Sequence, residues 1–172
     1  MFAAIAVIVP AMRHAIVLLS ALTLAVPAAA QQRSLGVFGM WGAFAAEARC
    51  YAISEPLQRR RNAQQRPFAS LGWFPGQGVR GQLHIRFAEP KRAGSAVLLR
   101  IEDRTFQLVG GGADAWAPDA RADAEIVAAM RSGLEMSVET RNGRGGLMRD
   151  SYALRGAATA LDAAAIACAR PR

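Results

Sequence analysis

Beyond residue 31 the chain alternates between apolar and polar side chains, most clearly over 79–88. There Leu83, Ile85 and Phe87 fall on one side and Gln82, His84 and Arg86 on the other, the period of two that marks a half-buried strand. Similar reasoning predicts an irregular, glycine-rich first strand over 35–44 with Trp41 buried. Further strands are expected over 50–54, ending before Glu55-Pro56, and over 67–74, stopped by Pro75-Gly76. Strands at 96–101 and 105–109 flank Glu102-Asp103-Arg104, which has the length and polarity of a tight hairpin connection. Strands at 134–140 and 147–154 flank a glycine-rich turn from Arg141 to Gly146. Two segments change to a helical period. Over 119–131, Asp119, Asp123 and Glu125 open the helix and Arg131 closes it before Gly133, with Ile126, Val127 and Met130 as its apolar stripe. From Ala157 to about Cys168, Leu161, Ala165 and Cys168 recur on one face, which places Cys168 inward. The pattern predicts a mainly β fold, an antiparallel β-sandwich or partly open barrel with two short helices.

Residues 1–30 break this pattern, being an apolar run whose only charged side chain is Arg13. Met12-Arg13-His14 supplies a short positive start, 15–26 an apolar stretch, and Ala28-Ala29-Ala30 the small residues before a cleavage point, which are the parts of a secretory leader. They fit better if translation begins at Met12, because 1–11 add a second apolar stretch with no charge ahead of it. An uncleaved anchor is the alternative, since the run approaches the ~20 residues that span a bilayer. Pro10, Arg13, Pro27 and the alanine triplet argue against it. The expectation is export to the periplasm, or release beyond it, with 31–172 as one β-rich domain.

Export changes how the two cysteines are read. Cys50 and Cys168 lie near the two ends of the mature part, and in an oxidising compartment their default state is a disulfide. Two buried thiols are the alternative, and no Cys-x-x-Cys spacing favours redox activity. The formal charge of +8 comes from 20 Arg and the single Lys91 against 13 acidic side chains. So strong a preference for Arg looks like codon bias, and no nucleic-acid partner is expected from it. Two Cys and two His are too few for dense metal frameworks, as a closed zinc site takes about four such ligands. No metal and no cofactor are expected.

The most distinctive local feature is the polar stretch with Arg59, Arg60, Arg61 and Arg66, followed by Phe68, Trp73 and Phe74 and then Arg80. Arg pairs bidentately with phosphate and carboxylate, and rings beside it suit a boundary between water and lipid. Arg59, Arg60, Arg61, Arg66, Trp73 and Arg80 are therefore the candidate binding residues, for an envelope protein or an anionic lipid or polysaccharide surface. A solvated loop beside core aromatics is the alternative. Catalytic signals are thin. A hydrolytic triad would have to be assembled from Ser70, His84 and Asp103 without a Gly-x-Ser-x-Gly elbow. Gly110-Gly111-Gly112 lacks a phosphate-binding register and reads as a flexible strand-to-helix connection. Asp114, Asp119, Asp123 and Glu125 lack calcium-loop spacing, and helix capping accounts for three of them. Glu135 and Glu139, on one strand face, read as solubilising charges rather than a glycosidase pair.

Trp41-Gly42-Ala43-Phe44 with Arg49-Cys50-Tyr51-Ala52, and the closing blocks from Ile126 to Gly133 and from Asp150 to Gly156 with Ala160-Leu161 and Cys168, resemble the invasion-associated locus B family of alphaproteobacterial exported proteins. The chain departs from the family pattern where Ala45 and Ala46 replace a cysteine after the opening strand, and it lacks a central cysteine pair. The resemblance implies a periplasmic or envelope-exposed β-rich domain, and the family brings no catalytic residues to transfer. The leading expectation is a non-enzymatic binding or structural protein of the envelope. A small periplasmic hydrolase, or an inhibitor of a wall-active enzyme, is the competing one.

Overall fold

Ten strands and two helices succeed one another in the computed structural model, which describes residues 32–58 and 63–169. Residues 1–30, where a leader is expected, and Arg59, Arg60 and Arg61 lie outside the described residues. In chain order the elements are β1 (Arg33–Phe38), β2 (Trp41–Ala45), β3 (Cys50–Ser54), β4 (Phe68–Phe74), β5 (Val79–Arg86), β6 (Val97–Ile101), β7 (Arg104–Gly111), β8 (Asp114–Trp116), α1 (Ala120–Ser132), β9 (Glu135–Arg141), β10 (Leu147–Ala153) and α2 (Ala157–Ala169). The strands make one antiparallel sheet in the order β1-β2-β3-β4-β5-β8-β7-β6-β9-β10. The sheet is not closed, but its ends are bridged. The Trp41 indole N–H donates to the Ala153 carbonyl at 2.9 Å, and the Leu57 N–H donates to the Ser151 carbonyl at 2.8 Å. The fold is thus mainly β, sandwich-like and partly open, with two helices and one disulfide.

Two local expectations are corrected. The stretch 35–44 is not one irregular strand but a hairpin, β1 and β2 turning at Gly39-Met40. The glycine run is not a flexible lead into α1: Gly110 and Gly111 pair with Ala115 and Asp114, so the chain turns through Gly112 into the three-residue strand β8. Elsewhere the alternation holds. Leu83, Ile85 and Phe87 are buried, and β6 and β7 meet across the two-residue turn Glu102-Asp103, with Glu102 in the left-handed region at φ 51°.

The side of the sheet that packs the core is fixed by residue size. In β2, β3 and β4 the inward side chains are mostly small: Ala43, Ala45, Cys50, Ala52 and Ala69, beside Trp41 and Leu71. Against them lies α2, whose buried residues are Ala157, Ala160, Leu161 and Ala164. Alanine facing alanine lets helix and sheet approach closely, so burial comes from backbone proximity and many short contacts rather than from large side chains. The far end of α2 is stapled to β3 by Cys50–Cys168, with a Cα–Cα distance of 5.8 Å. Its near end is fitted by Gly156 at φ 88°, where a Cβ would come within 2.0 Å of the Phe38 carbonyl oxygen, so only glycine lets the first hairpin seat there.

α1 covers the middle of the sheet. Asp119 is its N-cap, accepting the Ala122 N–H at 2.8 Å. Asp123 does not cap the helix. It is buried and accepts the N–H of Leu83 in β5 at 2.7 Å, the donor that the short β8 leaves beyond its end. Burial pushes the Asp123 carboxyl above its usual range, the Leu83 N–H pulls it partly back, and nearby Asp119 raises it further. Glu125 pairs instead with Arg121 and Arg104, so capping accounts for one of these acids rather than three.

Candidate functional site

Helices cover the inner side of β2 to β5, while the outer side carries several rings and polar side chains. Strand register arranges them in three rows across the strands. Phe44, Tyr51, Gly72 and Gln82 form the first, and Gly42, Ile53, Ser70, His84 and Trp116 the second. Phe68, Arg86 and Asp114 form the third. Two glycines seat rings flat against the sheet. A Cβ on Gly42 would lie 2.8 Å from the Phe44 ring, and one on Gly72 would lie 2.7 Å from the Phe74 ring. Each ring therefore folds back over the glycine two residues before it.

The rings gather in two stacks. Phe44 and Tyr51 stack at 5.4 Å between centroids, and the Arg49 guanidinium lies 5.3 Å over Tyr51. His84 and Trp116 stack almost parallel at 5.1 Å, with Phe68 edge-on to His84 at 5.1 Å and Arg86 5.6 Å over Phe68. Asp114 fixes the second stack. One of its oxygens takes both His84 Nε2, at 2.7 Å, and Arg86 Nε, at 2.8 Å. Burial by itself would raise the Asp114 carboxyl, but the hydrogen bonds and charges of Arg86 and His84 outweigh it and hold the group below its usual range. A depression of about 390 Å³ lies over this face, lined by Arg49, Tyr51, Ser70, His84, Arg86 and Trp116 among others.

The chemistry of the surface follows from these groups. Half-exposed π faces stack on flat apolar rings, guanidinium groups bind carboxylate or phosphate, and Ser70 and Gln82 between the stacks can exchange hydrogen bonds with hydroxyls. Ser70 stands directly across from His84 in the β4–β5 register. Asp103 does not join them, because it sits in the turn at the far end of β7 from Gly111, which pairs with Asp114. Asp114 takes the place beside His84 that the sequence offered to Asp103, and His84 is half-buried in a stack rather than freely exposed.

The candidate residues named from sequence are distributed differently. Trp73 and Arg80 are cross-strand neighbours and line an open cleft of about 1040 Å³ beside the disulfide. Trp73 packs inward on Cys50, its cross-strand partner in β3, on the same side as Ala69 and Leu71, while the irregularity opposite it is the extra residue Gly81 in β5. Arg66 is exposed near the other end of β4, beside Gln64 and Glu55. It is not brought together with Trp73 and Arg80. The sequence reading missed Phe44, Arg49, Tyr51, Arg86, Asp114 and Trp116 as a group. The available signal was the parity of β3, where Tyr51 and Ile53 share the side opposite Cys50, so a disulfide directed inward turns Tyr51 outward.

Among the described residues no three His, Cys, Asp or Glu side chains come together as a metal site, and no helix is long and apolar enough to cross a membrane. No family model, no curated protein and no solved structure matches the chain.

Proposed function

We propose that the chain is an exported, non-enzymatic protein of the cell envelope that holds an anionic envelope partner against the outer face of β2 to β5 and β8. The observation that carries this reading is the gathering of rings on the side of the strands away from the helices, where Phe44, Tyr51, Phe68, Phe74 and Trp116 each stay half-buried rather than joining the core. Leaving these rings half-exposed forgoes part of the ~1.5 to 3 kcal/mol that full burial of a large apolar side chain contributes, a part that a partner covering them would restore. Arg49 and Arg86 lie over two of these rings, and the Arg59 to Arg66 stretch lies in the connection leading into Phe68. The leader-like first thirty residues, the disulfide and the resemblance to the invasion-associated locus B family support placement in the envelope.

Co-sedimentation with isolated cell envelopes tests the reading. The protein should pellet with envelopes at low ionic strength, come off in ~1 M salt, where charges are screened beyond ~3 Å, and stay in solution as Arg49→Glu. A wild-type chain that remains in the supernatant at low salt overturns it.

A hydrolase is the second reading, favoured by the adjacency of Ser70, His84 and Asp114. It requires hydrolysis of an ester or amide substrate that disappears in both Ser70→Ala and His84→Ala.

A further inference from the structure

Resting on the binding reading above, we infer that the occupant of this face is a linear, carboxylate-bearing glycan, the glycan strand of the cell wall, lying across the strands from the Phe44–Tyr51 stack to the His84–Trp116 stack. Three features of the face define that occupant.

The first is spacing. Tyr51 and Trp116 are three strands and two residues apart in register, about 16 Å at ordinary strand separation. That distance suits a chain of several sugar rings bridging two platforms. It does not suit a strand of nucleotides stacking successive bases on neighbouring rings. The second is the floor between the platforms. It is formed by Ser70 and Gln82, with Gly72 between Tyr51 and Gln82 and Ile53 as its one aliphatic member. Hydroxyl and amide groups at intervals suit a ligand rich in hydroxyls, and they would be left unpaired beneath lipid chains. The third is charge. Among the described residues the cations on the face are Arg49, over Tyr51, and Arg86, over Phe68, and the only acid among the three rows is Asp114, already held by Arg86 and His84. Arg86 is thus largely neutralised and fixed, while Arg49 supplies an exposed guanidinium beside the first platform. One carboxylate on a glycan stacked at Tyr51 meets that demand, whereas a polyphosphate would place further charges near Asp114.

The test is binding of peptide-trimmed cell-wall glycan strands to the full mature chain by titration calorimetry. The comparison ligands are a neutral glucan of similar length, anionic phospholipid vesicles and oligodeoxythymidine. The expected result is binding of the wall strand, weakened at least tenfold by Trp116→Ala and by Tyr51→Ala. Arg49→Glu should weaken it by a similar factor and abolish its salt dependence, with Arg100→Glu on the other half of the sheet without effect. Arg49 is exposed and outside the core, so its variant tests the assignment even if Trp116→Ala lowers stability. Equal affinity for the neutral glucan, or preference for vesicles or oligodeoxythymidine, overturns the glycan assignment and leaves the anionic-partner reading standing in the last two cases. Envelope pelleting without any glycan binding overturns the inference alone. Failure in both assays overturns both.

Discussion

The outer surface of the sheet has two halves of opposite character. Across β7, β6, β9 and β10 the outward rows are Gln107, Leu98, Glu139 and Arg149, then Thr105, Arg100, Ser137 and Ser151. No ring is among them, and Arg149 pairs with Glu139 at 2.6 Å. Across β2 to β5 and β8 the corresponding positions carry rings and two ring-bound guanidinium groups. Both halves belong to one sheet, so strand geometry does not account for the contrast. The inner side does. Behind the polar half, large residues such as Leu99, Ile101, Met136, Val138 and Met148 fill the core, whereas behind β2 and β3 the alanine face of α2 meets Ala43, Ala45 and Ala52 beside Trp41, and larger residues return at Leu71, Leu83 and Ile85. Where α2 comes close to β2 and β3, small residues line most of the inside beside Trp41, and the rings Phe44 and Tyr51 stand outside.

The strongest way to break this comparison is to release α2. The disulfide closes a separation of 118 residues, and replacing Cys50 and Cys168 by Ala should cost about 5 kcal/mol through the gain in unfolded-chain entropy. Because α2 lies chiefly on β1 to β4, hydrogen exchange should quicken there first while β6, β9 and β10 keep their protection. Uniform loss of protection across the sheet would show that the two halves do not differ in support.

A smaller effect is expected where α1 meets β5. Asp123→Ala leaves the Leu83 N–H without its acceptor and should destabilise by about 1 to 3 kcal/mol. Asp123→Asn keeps an acceptor, removes a buried charge and should be neutral or stabilising at neutral pH. Denaturant unfolding distinguishes them, and equal loss in both variants would mean the charge itself is needed. The pH dependence has the sign of a raised group: the folded carboxyl titrates above its unfolded value, so its cost is relieved as pH falls through the folded value and levels off below the unfolded one. Asp114 has the opposite sign. Held below its ordinary value, it contributes stability that is complete above the unfolded pKa and lost as pH falls through the folded one, a loss that Asp114→Asn should remove.

The least effect should come from the polar half. Glu139→Ala breaks a surface pair with Arg149 and should cost under about 1 kcal/mol, decreasing with added salt. A larger cost would place structural weight on a face that otherwise looks solvated.

Much of the fold was legible because it follows from local periodicity. The buried side of β5, both hairpins in the second half, the limits of α1 from its Asp119 cap to Gly133, and the inward cysteine of α2 can be read from spacing alone. The failures have equally physical causes. β8 is three residues long, too short to show a period, and its glycine-rich approach resembles a loop. Asp123 has the composition of a helix opening but answers an edge N–H in a strand 40 residues earlier.

By itself the sequence determined most of the segments that become strands and helices, β8 and the turn between β1 and β2 excepted, the buried side of strands with clear alternation such as β5, and a Cys50–Cys168 pair as the default. These depend on backbone period and on chain ends, which are local quantities. Only the tertiary structure decided which side of β2, β3 and β4 is inside. That choice depends on how closely α2 must pack and on a disulfide that turns Cys50 inward, so it fixes Phe44, Tyr51 and Phe68 as a surface. Alternation is symmetric between two faces, and only a neighbouring element breaks the symmetry.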